Sequence, residues 1–272
     1  MAKKGFRNKV AIVTGSSRGI GREIALSLGL EGATIVLNGR DEARLKAVSQ
    51  ELNALGIVNA YFTGDISNLE EAKALILFTH DKFGQIDLLI NNVGISSRGY
   101  IADLHPSVIE QVFKSNVFGT MHPTHFALPY LRQTKGQIVF ISSLAGIHGL
   151  PGLAPYSASK MALTAFVEAL RIEEKANGVH VGLLQVAMTE IVHNKEVLAA
   201  DGSKQQLAAR KKGKVLSMEE VAADCLLLLK NRRYKKTQTM MGMLNRMLNS
   251  ISPRLIEWIL LKNLHQFEEQ SK

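Results

Sequence analysis

The chain is poor in the residues that usually mark a specialised architecture. Of its 272 residues, 1 is cysteine, 1 is tryptophan and 6 are proline, and aromatic side chains make up 6%. A lone cysteine cannot form an internal disulfide, so a reducing compartment, the cytoplasm, is the expectation. Cys225 lies in the apolar run 225–229 and reads as core rather than as a reactive thiol. No window approaches the ~20 uninterrupted apolar residues of a membrane-spanning helix. The basic N-terminus is followed by an apolar run, 10–13, too short for the core of an export signal. Acidic residues are missing between Asp224 and Glu257, where Lys230, Arg232, Arg233, Lys235, Lys236, Arg246 and Arg254 all stand. The formal net charge of +9 is therefore a C-terminal property. No helix-turn-helix, zinc or aromatic stacking motif accompanies it, so no nucleic-acid partner is expected. His122 and His125 have a spacing that hints at metal, but no third ligand or Glu accompanies them, so no metal is expected.

What is present is an ordinary globular composition, 46% hydrophobic and 21% charged, at a length that suits one α/β domain. Short β-branched runs at 10–14, 34–37, 86–90, 137–142 and 179–184 alternate with helical spacing over 20–30, 42–55, 69–83, 108–131 and 158–176. Several runs are continuously apolar, as in strands covered on both faces. The pattern predicts an α/β fold: a single-domain, Rossmann-type, doubly wound parallel sheet with helices on both faces. It assigns 1–241 to the catalytic domain, with an edge strand at 237–241, and 242–272 to an amphipathic helical extension of the same unit.

The first strand ends in Thr14-Gly15-Ser16-Ser17-Arg18-Gly19-Ile20-Gly21. Three glycines at a strand-to-helix turn let backbone approach a pyrophosphate, whose charge the helix N-terminus favours. This spacing, preceded by Thr, resembles that of the short-chain dehydrogenase/reductase family, and the resemblance extends over roughly residues 6–241. Asn91-Asn92-Val93-Gly94 resembles the family's Asn-Asn-Ala-Gly stretch, with Val93 in place of alanine. Tyr156 and Lys160 share a helix face four residues apart, and Ser143 lies thirteen residues upstream at a strand end. With Asn116 they complete the family's Asn, Ser, Tyr, Lys tetrad.

The resemblance implies an oxidoreductase that interconverts a ketone or aldehyde and an alcohol, with nicotinamide cofactor bound at Gly15, Ser17, Arg18, Gly19, Ile20, Gly21, Arg40, Asp65, Ile66, Asn92, Gly94, Tyr156, Lys160 and Thr189. Where an acid would bind the ribose 2′-hydroxyl the chain reads Asn38-Gly39-Arg40, and Arg18 stands in the glycine turn, so NADP(H) is the expected cofactor. An unperturbed tyrosine titrates near ~10, so Tyr156 needs the Lys160 cation to exchange protons at neutral pH. Ser143 is expected to donate to the carbonyl oxygen and Asn116 to hold a water that relays protons to Lys160.

The chain departs from the family after 179–184: Leu184-Gln185-Val186-Ala187-Met188-Thr189 lacks the usual Pro-Gly elbow, which leaves that loop's path open. Ser143, His148 and Met188, with Arg98 and His193, fall where the family places substrate contacts, and their neighbours suggest a hydrophobic carbonyl compound. Beyond 241, Met243, Leu244, Met247, Leu248 and Ile251 recur at helical spacing, Pro253 restarts the pattern, and Trp258 follows. An apolar stripe with a cationic flank suits an interfacial helix, where each cation adds about 1 kcal/mol beside an anionic leaflet. It equally suits a cover over the substrate cleft or a homo-oligomer contact, a dimer or tetramer being the expected assembly. The competing reading of the whole chain is a catalytically silent NADP-binding regulator or scaffold, against which the complete tetrad argues.

Overall fold

In the computed structural model, which describes residues 5–190, 196–207 and 215–264, the chain alternates strand and helix from its start. The order is β1 (Val10–Val13), α1 (Gly19–Leu30), β2 (Thr34–Gly39), α2 (Glu42–Ala54), β3 (Asn59–Thr63), α3 (Leu69–Phe83) and β4 (Leu88–Asn91). There follow α4 (Pro106–Phe113), α5 (Gly119–Thr134), β5 (Gln137–Ser143), α6 (Ala154–Glu173) and β6 (His180–Val186). The remainder comprises β7 (Glu196–Leu198), β8 (Lys204–Gln206), α7 (Met218–Lys230), β9 (Lys235–Thr237), α8 (Met240–Ile251) and α9 (Pro253–Lys262).

Seven strands form one parallel sheet in the order β3-β2-β1-β4-β5-β6-β9. The order reverses between β1 and β4, which opens a crevice at their carboxyl ends. Alternate residues of β1 feed opposite cores. Ala11 and Val13 join Ile24, Leu28, Leu45, Leu52, Cys225 and Leu229 of α1, α2 and α7, while Val10 and Ile12 join Leu75, Ile76, Leu131, Val167 and Leu170 of α3, α5 and α6. Burial on both faces explains the continuous apolar runs. Helix starts are fixed by Asp41 on α2, Asn68 on α3 and a Ser217–Glu220 capping box on α7.

Two expectations need correction. The helix read over 108–131, with Pro106 fitting its N-terminal turn and His105 ahead, does start at Pro106 behind a His105 cap but is broken by a π-helical turn at Lys114–Phe118 before α5. The turn inserts a residue and rotates the following apolar face by about 100°, a shift that one periodicity reading of the whole segment does not resolve. The edge strand is Lys235–Thr237 rather than 237–241: Thr239 turns the chain at φ 63 and accepts from Gly242 N, so Met240 and Met241 enter a helix. An antiparallel hairpin, β7–β8, was not foreseen. Its signal was the Asp201-Gly202 turn, where Gly202 has φ 88 and Asp201 Oδ1 accepts from Ser203 N at 2.8 Å.

Cys225 is fully buried, and burial with the neighbouring Asp224 charge pushes its thiol up to about 12. The folded protein is expected to leave a disulfide reagent at pH 8 unreacted and to consume one equivalent in denaturant. Rapid labelling without denaturant would contradict the packing of α7 on the sheet.

Candidate active site

The crevice begins at the turn between β1 and α1. Gly15 and Gly19 adopt the left-handed conformation at φ 62 and 59. A Cβ on Gly21 would lie 2.4 Å from Gly15 O, so only glycine lets the turn close this tightly. Asn92 Nδ2 donates to Thr14 O (3.0 Å) and Gly15 O (3.1 Å), and Asn92 N donates to Thr14 Oγ1 (2.9 Å), tying this loop to the one after β4. The side chain of the N-cap residue, Arg18, makes no capping hydrogen bond to α1, and a helix N-terminus of this kind favours an anion. The narrow cradle fits a dinucleotide pyrophosphate.

At the end of β2, a Cβ on Gly39 would meet Ser17 Cβ and Oγ at 3.3 Å, so glycine lets the two turns pack together. Arg18 and Arg40 flank that contact. Arg40 Nη1 lies 3.8 Å from Asp65 Oδ2, on exposed side chains. Arg44, which the sequence reading did not single out, lines the same cleft as Ser17 and Arg18. Burial opposes the Asp65 charge, but donors from the Ser67 hydroxyl and N–H and the Arg40 and Lys114 cations outweigh it and hold its pKa below the usual range. The Ile66 side chain belongs to the core under the sheet, so only its backbone faces a ligand there.

The tetrad residues come from three elements. The π turn carries Asn116, fully buried; its Nδ2 donates to Ile95 O and Ser159 Oγ, both at 2.9 Å, and its Oδ1 accepts from Ile95 N at 2.7 Å. Both amide hydrogens are thereby used, so Asn116 pins the loop after β4 to α6. Lys160, buried in α6, donates from Nζ to Ile141 O at 3.1 Å. Its Nζ lies 5.9 Å from the centroid of the Tyr156 ring one helical turn earlier. A Cβ on Gly94 would stand 3.1 Å from Lys160 Nζ and 3.3 Å from Asn116 Oδ1, so these groups converge on one point of bare backbone. Ser143 ends β5, where its Oγ accepts from Ala145 N at 3.2 Å and keeps its proton for another partner. Gly146 fixes the height of that loop: a Cβ there would lie 2.9 Å from Lys160 O.

The loop without the Pro-Gly elbow is held from the side. Ala187 N donates to Gln238 Oε1 at 3.2 Å, and Gln238 Nε2 donates to Asp224 Oδ2 at 2.8 Å. Met188 O and Glu190 N then bond to Leu216 N and O, both at 2.9 Å. Thr189 is buried within that bridge, and the Met188 side chain is exposed. The β7–β8 hairpin binds the opposite wall, with Leu198 bonded to Ser96 O and Arg98 N. His148 points to α8: its Nε2 lies 3.0 Å from Asn245 Nδ2 and its Nδ1 3.0 Å from Gly149 O. His193 lies outside the described residues. His122 stacks on Phe118 at 5.5 Å and His125 meets Phe126 edge-on.

A sequence profile described as short chain dehydrogenase matches residues 9–202. The chain belongs to the short-chain dehydrogenase/reductase family. Among relatives of this family, a dehydrogenase/reductase SDR family member 7B from Danio rerio is 36% identical over 81% of this chain and 74% of its own. An 11-beta-hydroxysteroid dehydrogenase-like protein 4A from Arabidopsis thaliana is 39% identical over 61% of this chain, which spans little more than half, 56%, of that relative. A solved short-chain dehydrogenase/reductase from Burkholderia phymatum, in complex with NAD, superposes with a TM-score of 0.82 at 26% identity, covering 94% of this chain and 96% of that one. An alcohol dehydrogenase from Thermococcus sibiricus, complexed with 5-hydroxy-NADP, gives 0.73 at 25% identity, covering 85% and 95%.

Substituting Gly21→Ala is expected to force Gly15 or Asn92 aside and to weaken nicotinamide cofactor binding by at least about tenfold, read by fluorescence titration. An unchanged dissociation constant would mean that the turn does not hold the pyrophosphate.

Proposed function

We propose that the chain is an NADP(H)-dependent oxidoreductase that interconverts a hydrophobic ketone or aldehyde and the corresponding alcohol. The observation that carries this reading is the buried Lys160 amine beside the Tyr156 ring, at the point where Asn116 and Gly94 also meet. A bound nicotinamide supplies or accepts hydride. The chain's own residues handle the proton and the oxygen. Tyr156 holds the proton at Oη and exchanges it with the substrate oxygen. Lys160, steadied by Ile141 O, puts a cation beside the phenol and lowers the cost of its deprotonated form. The Ser143 hydroxyl, oriented by Ala145 N, donates to the same oxygen as its charge changes. Asn116 keeps the loop after β4 against α6, so that Gly94 and Lys160 stay in register.

The phosphate-bearing cofactor is favoured by the close packing of Ser17 on Gly39, where no acid stands, and by the cations Arg18, Arg40 and Arg44 around it. The apolar substrate is favoured by the exposed Met188 beside the site. Relatives named as hydroxysteroid dehydrogenase-like agree with a hydroxyl or keto group on a large apolar frame.

Tyr156→Phe is expected to reduce turnover of hydrophobic ketones and alcohols by more than about a thousandfold while leaving NADPH affinity within a few-fold, the size of a lost general acid–base group. Retained turnover would sink the mechanism, and absence of turnover in the unaltered protein across such a panel would favour a silent cofactor-binding regulator. Arg40→Ala is expected to raise the NADPH dissociation constant by about tenfold or more and to leave that for NADH nearly unchanged. Equal effects on both would exclude a 2′-phosphate contact.

A further inference from the structure

Helix α8 is amphipathic in the wrong direction for a helix covering a core. Its inward face is small or polar. A Cβ on Gly242 would meet Leu144 Cδ2 at 2.8 Å, Asn245 bonds His148, and Asn249 Nδ2 donates to Ile147 O at 3.2 Å. All three partners lie on the loop that follows Ser143. The apolar side chains at i, i+4, i+7 and i+11 point the other way: Met240 is 83% exposed, Leu244 43%, Met247 53% and Ile251 73%. On α9, which packs against α8, Leu255, Ile259 and Trp258 share a face and are also exposed, with Lys262 Nζ 3.8 Å above the Trp258 ring. An apolar surface of this extent marks a contact site.

We propose that the α8–α9 pair is a docking surface for an anionic lipid bilayer. The charge around it selects the occupant. Arg254 and Lys262 stand on α9 against the single acid Glu257, while Arg246 of α8 turns back to donate to Thr237 Oγ1 at 3.0 Å. A symmetric contact with a second copy would set these cations against their own images, which is repulsive. Anionic headgroups neutralise them, while Met, Leu and Ile side chains enter the acyl boundary and Trp258 sits at the interface beside Lys262. Because α8 packs on Leu144 and hydrogen-bonds Ile147 and His148, the lipid-facing helix is also the neighbour of the catalytic serine's loop. An apolar substrate dissolved in the bilayer would therefore meet the site from its lipid side. That consequence rests on the proposed oxidoreductase reading; the docking does not.

The test uses the full chain and vesicles of phosphatidylcholine with or without phosphatidylserine. Trp258 is the only tryptophan, so its emission reports this surface alone. Expected are co-sedimentation with the anionic vesicles, a blue shift of Trp258 emission and loss of both at raised salt. The double variant Met240→Glu with Met247→Glu changes exposed side chains; it is expected to keep its circular dichroism and melting temperature and to bind at least about tenfold more weakly. Binding unchanged in that variant, equal binding to pure phosphatidylcholine, or no vesicle binding at all each overturns the proposal. A dimer that the double variant converts to monomer, with vesicles ignored throughout, assigns the face to a second copy instead.

Discussion

A long cationic side chain inside the protein is the constraint around which the crevice is arranged. Removing an ammonium from water costs several kcal/mol unless polar partners replace its hydration. Lys160 meets this with the carbonyl of Ile141, the bare backbone of Gly94 and the amide of Asn116 beside it. Each partner belongs to a different part of the fold: β5, the loop after β4, and the π turn before α5. None can move without loosening the others, because Asn116 also bonds Ile95 and Ser159, and Gly146 rests on the backbone of Lys160. Tyr156 and Ser143 inherit their positions from this arrangement rather than defining it.

The same logic separates what was legible in the sequence from what was not. The glycine turn, the parallel strands and the Tyr-Lys spacing were readable because each depends on local geometry: positive φ, burial on both faces, one helical turn. The π turn at Lys114–Phe118 was not, since the stretch still reads as helix on either side of it and the inserted residue only rotates one apolar face by about 100° against the other. Yet that turn carries Asn116. The end of the sheet moved for a similar reason. Residues 237–241 have β-forming and apolar character, but Thr239 at φ 63 ends the strand, and its hydroxyl starts a helix on Gly242. Capping overruled composition there.

The missing Pro-Gly elbow shows how tertiary contacts replace a covalent device. A proline would stiffen the chain after β6 by itself. Here Ala187 is tied to Gln238, which is tied to Asp224, which also pairs with Lys236. The stiffness is borrowed from α7 and β9. No reading of residues 184–189 alone could find it, because Leu216, Asp224 and Gln238 lie at least 27 residues further along, Leu216 against Thr189 being the nearest. The sheet's edge thus bears on the wall of the site, and the parallel bridge between Thr189 and Leu216 extends that support.

Periodicity also explains why the C-terminal helices were left with two readings. Spacing of three and four residues says that a helix has an apolar face; it says nothing of where that face points. In most helices the question does not arise, since the apolar side is the one that packs. In α8 the decision falls to three residues on the side opposite Met240 and Met247, Gly242, Asn245 and Asn249, whose small or amide side chains fit the loop after Ser143 and thereby turn those methionines outward. The cleft-cover and outward-facing readings are then not exclusive. The polar side of one helix closes on the loop after Ser143 while its apolar side faces away, and His148, hydrogen-bonded to Asn245, joins the two.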